Sequence, residues 1–276
     1  MGDIIISMLE AIFGGSFASG ADGLRNSVAE YNADVFTFAN TVNSTVVKPV
    51  AAVIVAIILT LELAKLSSRV EGDHQLGVQM VASVLIKATL VVIAIQNADL
   101  ILRAINEVGE KLIGGVADVD ADTGSGVSDA VKSAVNDLGT VEQAGLLLVL
   151  FLPWLLGIAA SIALKIIVFV RFAEVYILSA AVTLPLSFLG HTETKGIAIG
   201  YLKRYGTVIL QGFVIFLIIA IYNFFNVASV DLSGVTGDNI IPTITGNIGQ
   251  LLIAPLFFLF LLFSSSRMAK ALVGEG

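Results

Sequence analysis

Five stretches of this chain stay apolar for longer than a water-soluble fold tolerates, and they constrain everything else. They run from about Val46 to Leu66, Leu76 to Ala98, Gly145 to Leu164, Tyr205 to Val230 and Asn239 to Ser266. A membrane-crossing helix rises about 1.5 Å per residue and needs about 20 apolar residues to match a hydrocarbon core of roughly 30 Å. Each stretch meets that ruler, and the last three carry no charge. The chain is 57% hydrophobic and 13% charged, where soluble domains carry about 45–50% and about 25%. A mean hydropathy of +0.94 agrees. In lipid a lone segment satisfies its backbone only as a helix, so the fold class is all-α, a polytopic helical membrane protein.

The rest of the chain falls into place around these spans. Residues 1–45 form an N-terminal region. Within it DIIISMLEAIF sets Asp3, Ser7 and Glu10 on one helical stripe. Eleven residues do not span, so this reads as an amphipathic helix lying in the interface or packed on the bundle. The MGD start lacks the positive flank of a cleavable leader. GGSFASGADG is a hinge, and residues 24–45 form an amphipathic helix leading to the membrane. Residues 46–98 hold spans one and two, residues 99–143 an acidic loop with weak helical periodicity at each end, and residues 144–276 a C-terminal membrane domain. In that domain, Val175 to Gly190 is too short to span, and Pro185 is a breaker. No turn-forming residue lies between Arg171 and Glu174. The expectation is a helix that continues past the third span and is broken or re-entrant near residues 172–190.

Charge distribution leaves two topologies open. Five spans with the N-terminus outside put Lys65, Arg69, Arg171, Lys195, Lys203, Arg204, Arg267 and Lys270 inside, against Arg25, Lys48, Arg103, Lys111 and Lys132 outside. Six spans with the N-terminus inside score better by that rule, but need the short segment to cross and a turn without turn residues. No internal repeat is present, which argues against a transporter built from paired halves.

Enzyme chemistry finds no anchor. Walker-type, GxSxG and HExxH motifs are missing, and zero cysteines remove disulfides, thiolate metal sites and thiol nucleophiles. His74 and His191 fall in loops, where solvated side chains are the expectation. Asp118, Asp120, Asp122 and Asp129 echo a calcium loop, but Thr123 stands where the sharp turn wants Gly. No catalytic residue, metal site or cofactor is expected. A net charge of -7 excludes a generic nucleic-acid binder.

Ionisable groups in the spans carry more information, since burying one in lipid costs at least about 2.5 kcal/mol. Lys87 sits midway along the second span. Glu62 is its partner if the first two spans form a hairpin; otherwise Lys87 snorkels and Glu62 pairs with Lys65 or Arg69. Lys165, Arg171 and Glu174 form a second cluster, with Arg171 and Glu174 three apart on one helix face. It is either a neutralised pair seating the helix or a polar lining for a passage. Gly157 and Ser161 offer a face for close helix packing. Lys195, Lys203, Arg204, Arg267 and Lys270 form a basic cytoplasmic mouth, or simply orient the chain.

Residues RFAEVYILSAAVTLP, with Arg171, Glu174, Tyr176 and Pro185, resemble the R-x-x-E-x-Y pattern and trailing proline of the TrbL-like (VirB-type) membrane subunits of conjugative type IV secretion systems, in their Gram-positive mobile-element branch. YLKRYGTVILQGFVIFLIIAIY is similar to the segment that follows, with Tyr201, Leu202, Lys203, Gln211, Gly212 and Phe213 in register. VFTFANTVNSTVVKPVAAVIVAIILTLEL and SSSRMAKAL resemble the approach to the first span and the terminus. The resemblance covers most of the chain from about Val35 onward and is loose between Asp99 and Gln143.

It implies about five spans in the cell membrane, an outer N-terminus and a cytoplasmic C-terminus. It also implies a homo-oligomeric platform or channel subunit that helps pass single-stranded DNA with its relaxase, or protein effectors, powered by separate ATPases among its partner subunits. Glu62, Lys87, Lys165, Arg171, Glu174, Tyr176, Pro185 and Gln211 become the gating or helix-seating candidates. The rival readings are a small-solute transporter and a purely structural scaffold of a secretion complex.

Overall fold

A computed structural model describes residues 1–12, 23–67, 74–120, 127–229 and 235–274. Among them the chain is helical, without strands. In order come α1 (Gly2–Ile12), α2 (Val28–Tyr31), α3 (Ala33–Val42), a π-helical turn (Asn43–Val47), α4 (Lys48–Ser67) and α5 (His74–Gln96). Then follow α6 (Ala98–Asp120), α7 (Asp129–Asn136), α8 (Thr140–Ala181), α9 (Thr183–Leu186), a 3-10 turn (Ser187–Gly190), α10 (Lys195–Ser229), α11 (Ile240–Gly246) and α12 (Ile248–Val273). Five helical runs are long and apolar enough to cross a membrane: Ala33–Leu66, Val78–Gln96, Thr140–Ala181, Lys195–Tyr222 and Ile248–Val273.

Local chemistry explains where these helices begin and break. Ser27 and Glu30 close a capping box on α2, each side chain taking the other's backbone N–H. Asn32 caps α3 through its bond from the Val35 N–H. The first span does not start at Val46 as its hydropathy suggests; the helix reaches it from Ala33 through the π turn. Pro49 follows that turn, and a proline ring clashes with the carbonyl four residues back, here Thr45. The widened turn lies where that clash falls. The same rule ends α8 at Ala181, four residues before Pro185. Pro185 then sits in the first turn of α9, where no N–H is needed.

The 42 residues of α8 make a helix about 63 Å long, well beyond the hydrocarbon thickness. The helix therefore continues past its span and breaks near Pro185, as expected. The stretch from Asn239 to Ser266 differs: it divides into α11 and α12 at Asn247. The segment 99–143 is also corrected, because α6 and α7 occupy most of it and an open loop does not. Its alternating polar and apolar residues follow a helical period, burying Leu102 and Ile113 of α6 and Val131 and Val135 of α7. Asp122 and Arg69 lie outside the described residues, as do the side chains of His74, Asp118 and Asp120.

The chain forms two compact units, each assembled from three segments. The first comprises Met1–Asn26, Glu110–Arg171 and Gln211–Ala269. Its core is aliphatic: Ile5, Leu9 and Ile12 of α1 pack with Val131 and Val135 of α7, Leu150 of α8 and Ile244 of α11. The N-terminal amphipathic helix is thus packed rather than floating in an interface. Gly157 lets it approach α8, since a Cβ there would lie 3.0 Å from the Ala11 carbonyl oxygen. This is the use of the small-residue face seen in the sequence. Lys132 pairs with Glu10 at 3.4 Å, and Tyr222 donates to the Ile12 carbonyl at 3.0 Å.

The second unit comprises Ser27–Gly109, Phe172–Leu210 and Lys270–Gly276. Here α4 and α5 pair as a hairpin, and the 3-10 turn after α9 packs on both. Thr183 donates to Asn43 at 2.9 Å, so the helix break is tied to the π turn by two buried polar side chains. Backbone departures from the α-helix are tolerated at membrane depth only when buried in protein, and these two irregularities cover each other.

Candidate polar sites on the helical hairpin and the broken helix

Two polar clusters stand out, both in the second unit. The first joins the hairpin to the turn that follows α9. Glu62 of α4 accepts from His191 Nδ1, with the side chains only 22% and 15% exposed. On the other side of the imidazole, His191 Nε2 lies 3.6 Å from Glu193, and Lys65 donates to Glu193 at 3.1 Å. The hydrogen bond and positive charge of Lys65, with a smaller contribution from His191, hold the Glu193 carboxyl below the usual carboxylate range. The chain places His191 there because Pro185 ends the long helix and the 3-10 turn brings residue 191 back against α4. A Cβ on Gly190 would stand 3.4 Å from Ile58 and 3.8 Å from Val91, so this turn sits close on the hairpin.

Above this cluster is a small cavity between α4, α5 and the turn. Glu62 and Lys87 both line it, with Ser187, Gly190 and Thr192. The hairpin therefore brings Glu62 and Lys87 to one space, as the sequence suggested, but Glu62 takes His191 as its partner. Lys87 is exposed and makes no ion pair among the described residues. Lys65 goes to Glu193 and not to Glu62. His191 was expected to be a solvated loop residue and is instead half-buried and bonded. Its signal in the sequence was the H-T-E run directly after a broken helix, which supplies an imidazole and a carboxylate at a chain reversal.

The second cluster lies between the end of α8 and the start of α10. Arg204 donates to Glu174 from Nε at 2.8 Å and also from its terminal nitrogen. This corrects the expected Arg171–Glu174 pair: helix spacing permits that contact, but a guanidinium from α10 takes the carboxylate. Arg171 belongs to the first unit, where it is buried against Gly212; a Cβ on that glycine would lie 2.5 Å from the guanidinium carbon. Arg204 is thereby withdrawn from the basic mouth. Lys195, Lys203 and Arg267 are exposed, and Lys270 is partly buried. Lys165 is exposed, without an ion pair among the described residues.

Tyrosines complete the second cluster. Tyr176 donates to the Val28 carbonyl at 2.9 Å, tying α8 to the start of α2, where Tyr31 stacks on Phe172 with ring centroids 3.8 Å apart. Tyr201 donates to the Leu178 carbonyl, and Tyr205 to Asn106 at 2.9 Å. Tyr201 and Tyr205 stand one turn apart on one face of α10, a spacing that marks a shared surface. A Cβ on Gly109 would lie 2.3 Å from Ile209, so α6 packs tightly on α10 beside that bond. Gln211, in the first unit, donates to Ser265 at 3.3 Å.

Chemically, these clusters bind helix to helix. Each carboxylate in them meets a cation or an imidazole, and among the described residues no group of three or more His, Asp or Glu is arranged to hold a metal ion. A family model described as TrbL/VirB6 plasmid conjugal transfer like protein matches residues 17–182 of this chain. No curated protein and no solved structure matches it.

Proposed function

The chain belongs to the TrbL/VirB6 plasmid conjugal transfer like family, and from that premise we propose that it is a non-enzymatic, homo-oligomeric channel or platform subunit of a conjugative type IV secretion system. It is a multi-pass membrane protein of a conjugal transfer system. In the proposed role it helps pass single-stranded DNA with its relaxase, or protein effectors, across the cell membrane, while partner ATPases supply the energy. Its N-terminus faces outward and its C-terminus the cytoplasm.

The observation that carries this reading is the family match across the first three apolar helices, which takes in Glu62 and Lys65 of the first polar cluster and Glu174 of the second. The polar side chains within the spans support it. Glu62 with His191 and Glu174 with Arg204 fix the helices, while Lys87 keeps a cation exposed at mid-span, where a purely structural helix has no use for one. In an assembled ring such a lysine faces either a neighbouring subunit or the passage.

A conjugation assay on a clean deletion, with complementation by the intact chain, is the direct test. Transfer is expected to fall to background without the protein and to return with it. Undiminished transfer in the deletion strain would end the proposal.

A further inference from the structure

The second unit carries a groove that neither polar cluster uses. Ile105 and Val108 of α6, Leu202 and Leu210 of α10 and Leu272 of α12 form its walls, and among the described residues Lys203 is the one charged side chain lining it. It is an open groove of about 490 Å³, within the roughly 300–1,000 Å³ typical of ligand sites. Gly206 faces the open space of the groove, since a Cβ there would meet nothing within 4 Å. Lys203 Nζ donates to the Gly274 carbonyl at 3.3 Å, and among the described residues no carboxylate pairs with it. An ammonium has three N–H donors, so this bond leaves two.

The groove is polarised along the helix. Lys203 lies eight residues from the start of α10, and Leu210 lies seven further into the apolar run Lys195–Tyr222, about 10 Å along the axis. A cation at one end with apolar walls leading away from it into a span has the polarity of a single membrane leaflet. We propose that this groove binds an anionic phospholipid, with an acyl chain along the α6–α10 walls and the headgroup phosphate on Lys203.

Other occupants fit less well. A second copy of the chain would have to bring a carboxylate to Lys203, yet Glu62 and Glu174, the carboxylates deep in the apolar runs, are already engaged. Free phosphate would gain nothing from the walls, and a zwitterionic lipid would bring a phosphate already balanced by its own cation.

The test is retention of added phosphatidylglycerol or phosphatidylcholine by the purified full chain, counted by extraction and mass spectrometry. The intact protein should retain the anionic lipid preferentially. Lys203→Ala should lower phosphatidylglycerol retention by about fivefold, the factor for one basic residue at an anionic lipid surface, and lower phosphatidylcholine retention by less, because that phosphate is balanced by its own choline. Gly206→Phe should displace both lipids by filling the groove; if that variant does not fold, Gly206→Leu and Lys203→Ala decide the matter. Equal retention of the two lipids by the intact protein, or unchanged phosphatidylglycerol in both variants, would overturn the proposal. So would displacement of the lipid by inorganic phosphate, or variants that change the oligomeric state and leave lipid retention alone.

Discussion

Each of the two units of this protein combines apolar burial with polar ties, but in a different balance. In the first, short helices that cannot span a bilayer bury aliphatic faces in the manner of a soluble core: Ile5, Leu9 and Ile12 against Val131, Val135 and Leu150. In the second, the ties between distant segments are polar, running from Tyr176 to Val28, Thr183 to Asn43, Glu174 to Arg204 and His191 to Glu62. The difference follows from the solvent. Lipid is as apolar as leucine, so burying an apolar side chain between helices gains little there, whereas a hydrogen bond or a close small-residue contact fixes which helices meet. Where α1 and α7 are too short to reside in lipid, apolar burial again does the work.

The largest expected effect tests the aliphatic unit. Leu9→Ala removes a fully buried side chain and should cost about 2–5 kcal/mol, read as a lower unfolding midpoint in detergent with α1 becoming open to protease. If Leu9→Ala proves no worse than the polar variants below, the contrast between the units is broken.

Next comes the polar unit. Glu174→Ala should cost about 1.5–3 kcal/mol, the range for hydrogen bonds to charged groups, and a double-mutant cycle with Arg204→Ala should show a clear coupling energy. The same substitution should reduce DNA transfer more than Glu193→Ala, because Glu174 joins α8 to α10 while Glu193 is exposed. Equal transfer in the two variants would remove any special standing for the Glu174 site.

The smallest effect belongs to Lys65. Its bond holds the Glu193 carboxyl below its ordinary value of 4.5. The folded form therefore binds that proton less readily than the unfolded chain. The resulting stabilisation is complete above the unfolded value and is lost as pH falls through the lower folded one. Both side chains are largely exposed, so Lys65→Ala should matter little at neutral pH, and the contribution should fade with salt. Acid unfolding curves of the two proteins should converge at the acid end; curves that differ equally at every pH would assign Lys65 a role other than this pair.

Much of this was legible along the chain. Hydropathy located five spans because lipid imposes a minimum length, and Pro185 located the helix break because its ring excludes a helical carbonyl at Ala181. Hairpin geometry also implied that Glu62 and Lys87 share a space, and they line one cavity. Helix spacing nominated Arg171 for Glu174, but spacing registers only neighbours on the same helix and is blind to Arg204, thirty residues on. Likewise the Asp, Gly and Ser content of residues 99–143 suggests a loop, although α6 and α7 each carry a marked apolar face at the helical period.

The sequence by itself determined that this chain is helical and lives in a membrane, since those properties depend on length and hydropathy that act locally. Pro153 and Pro255 lie inside unbroken helices, so ring sterics alone did not decide that the break falls at Pro185. Only the tertiary structure decided which charge answers which. That choice is made among groups far apart in the chain, by whichever helices pack closely enough for a carboxylate and a cation to leave lipid and water together.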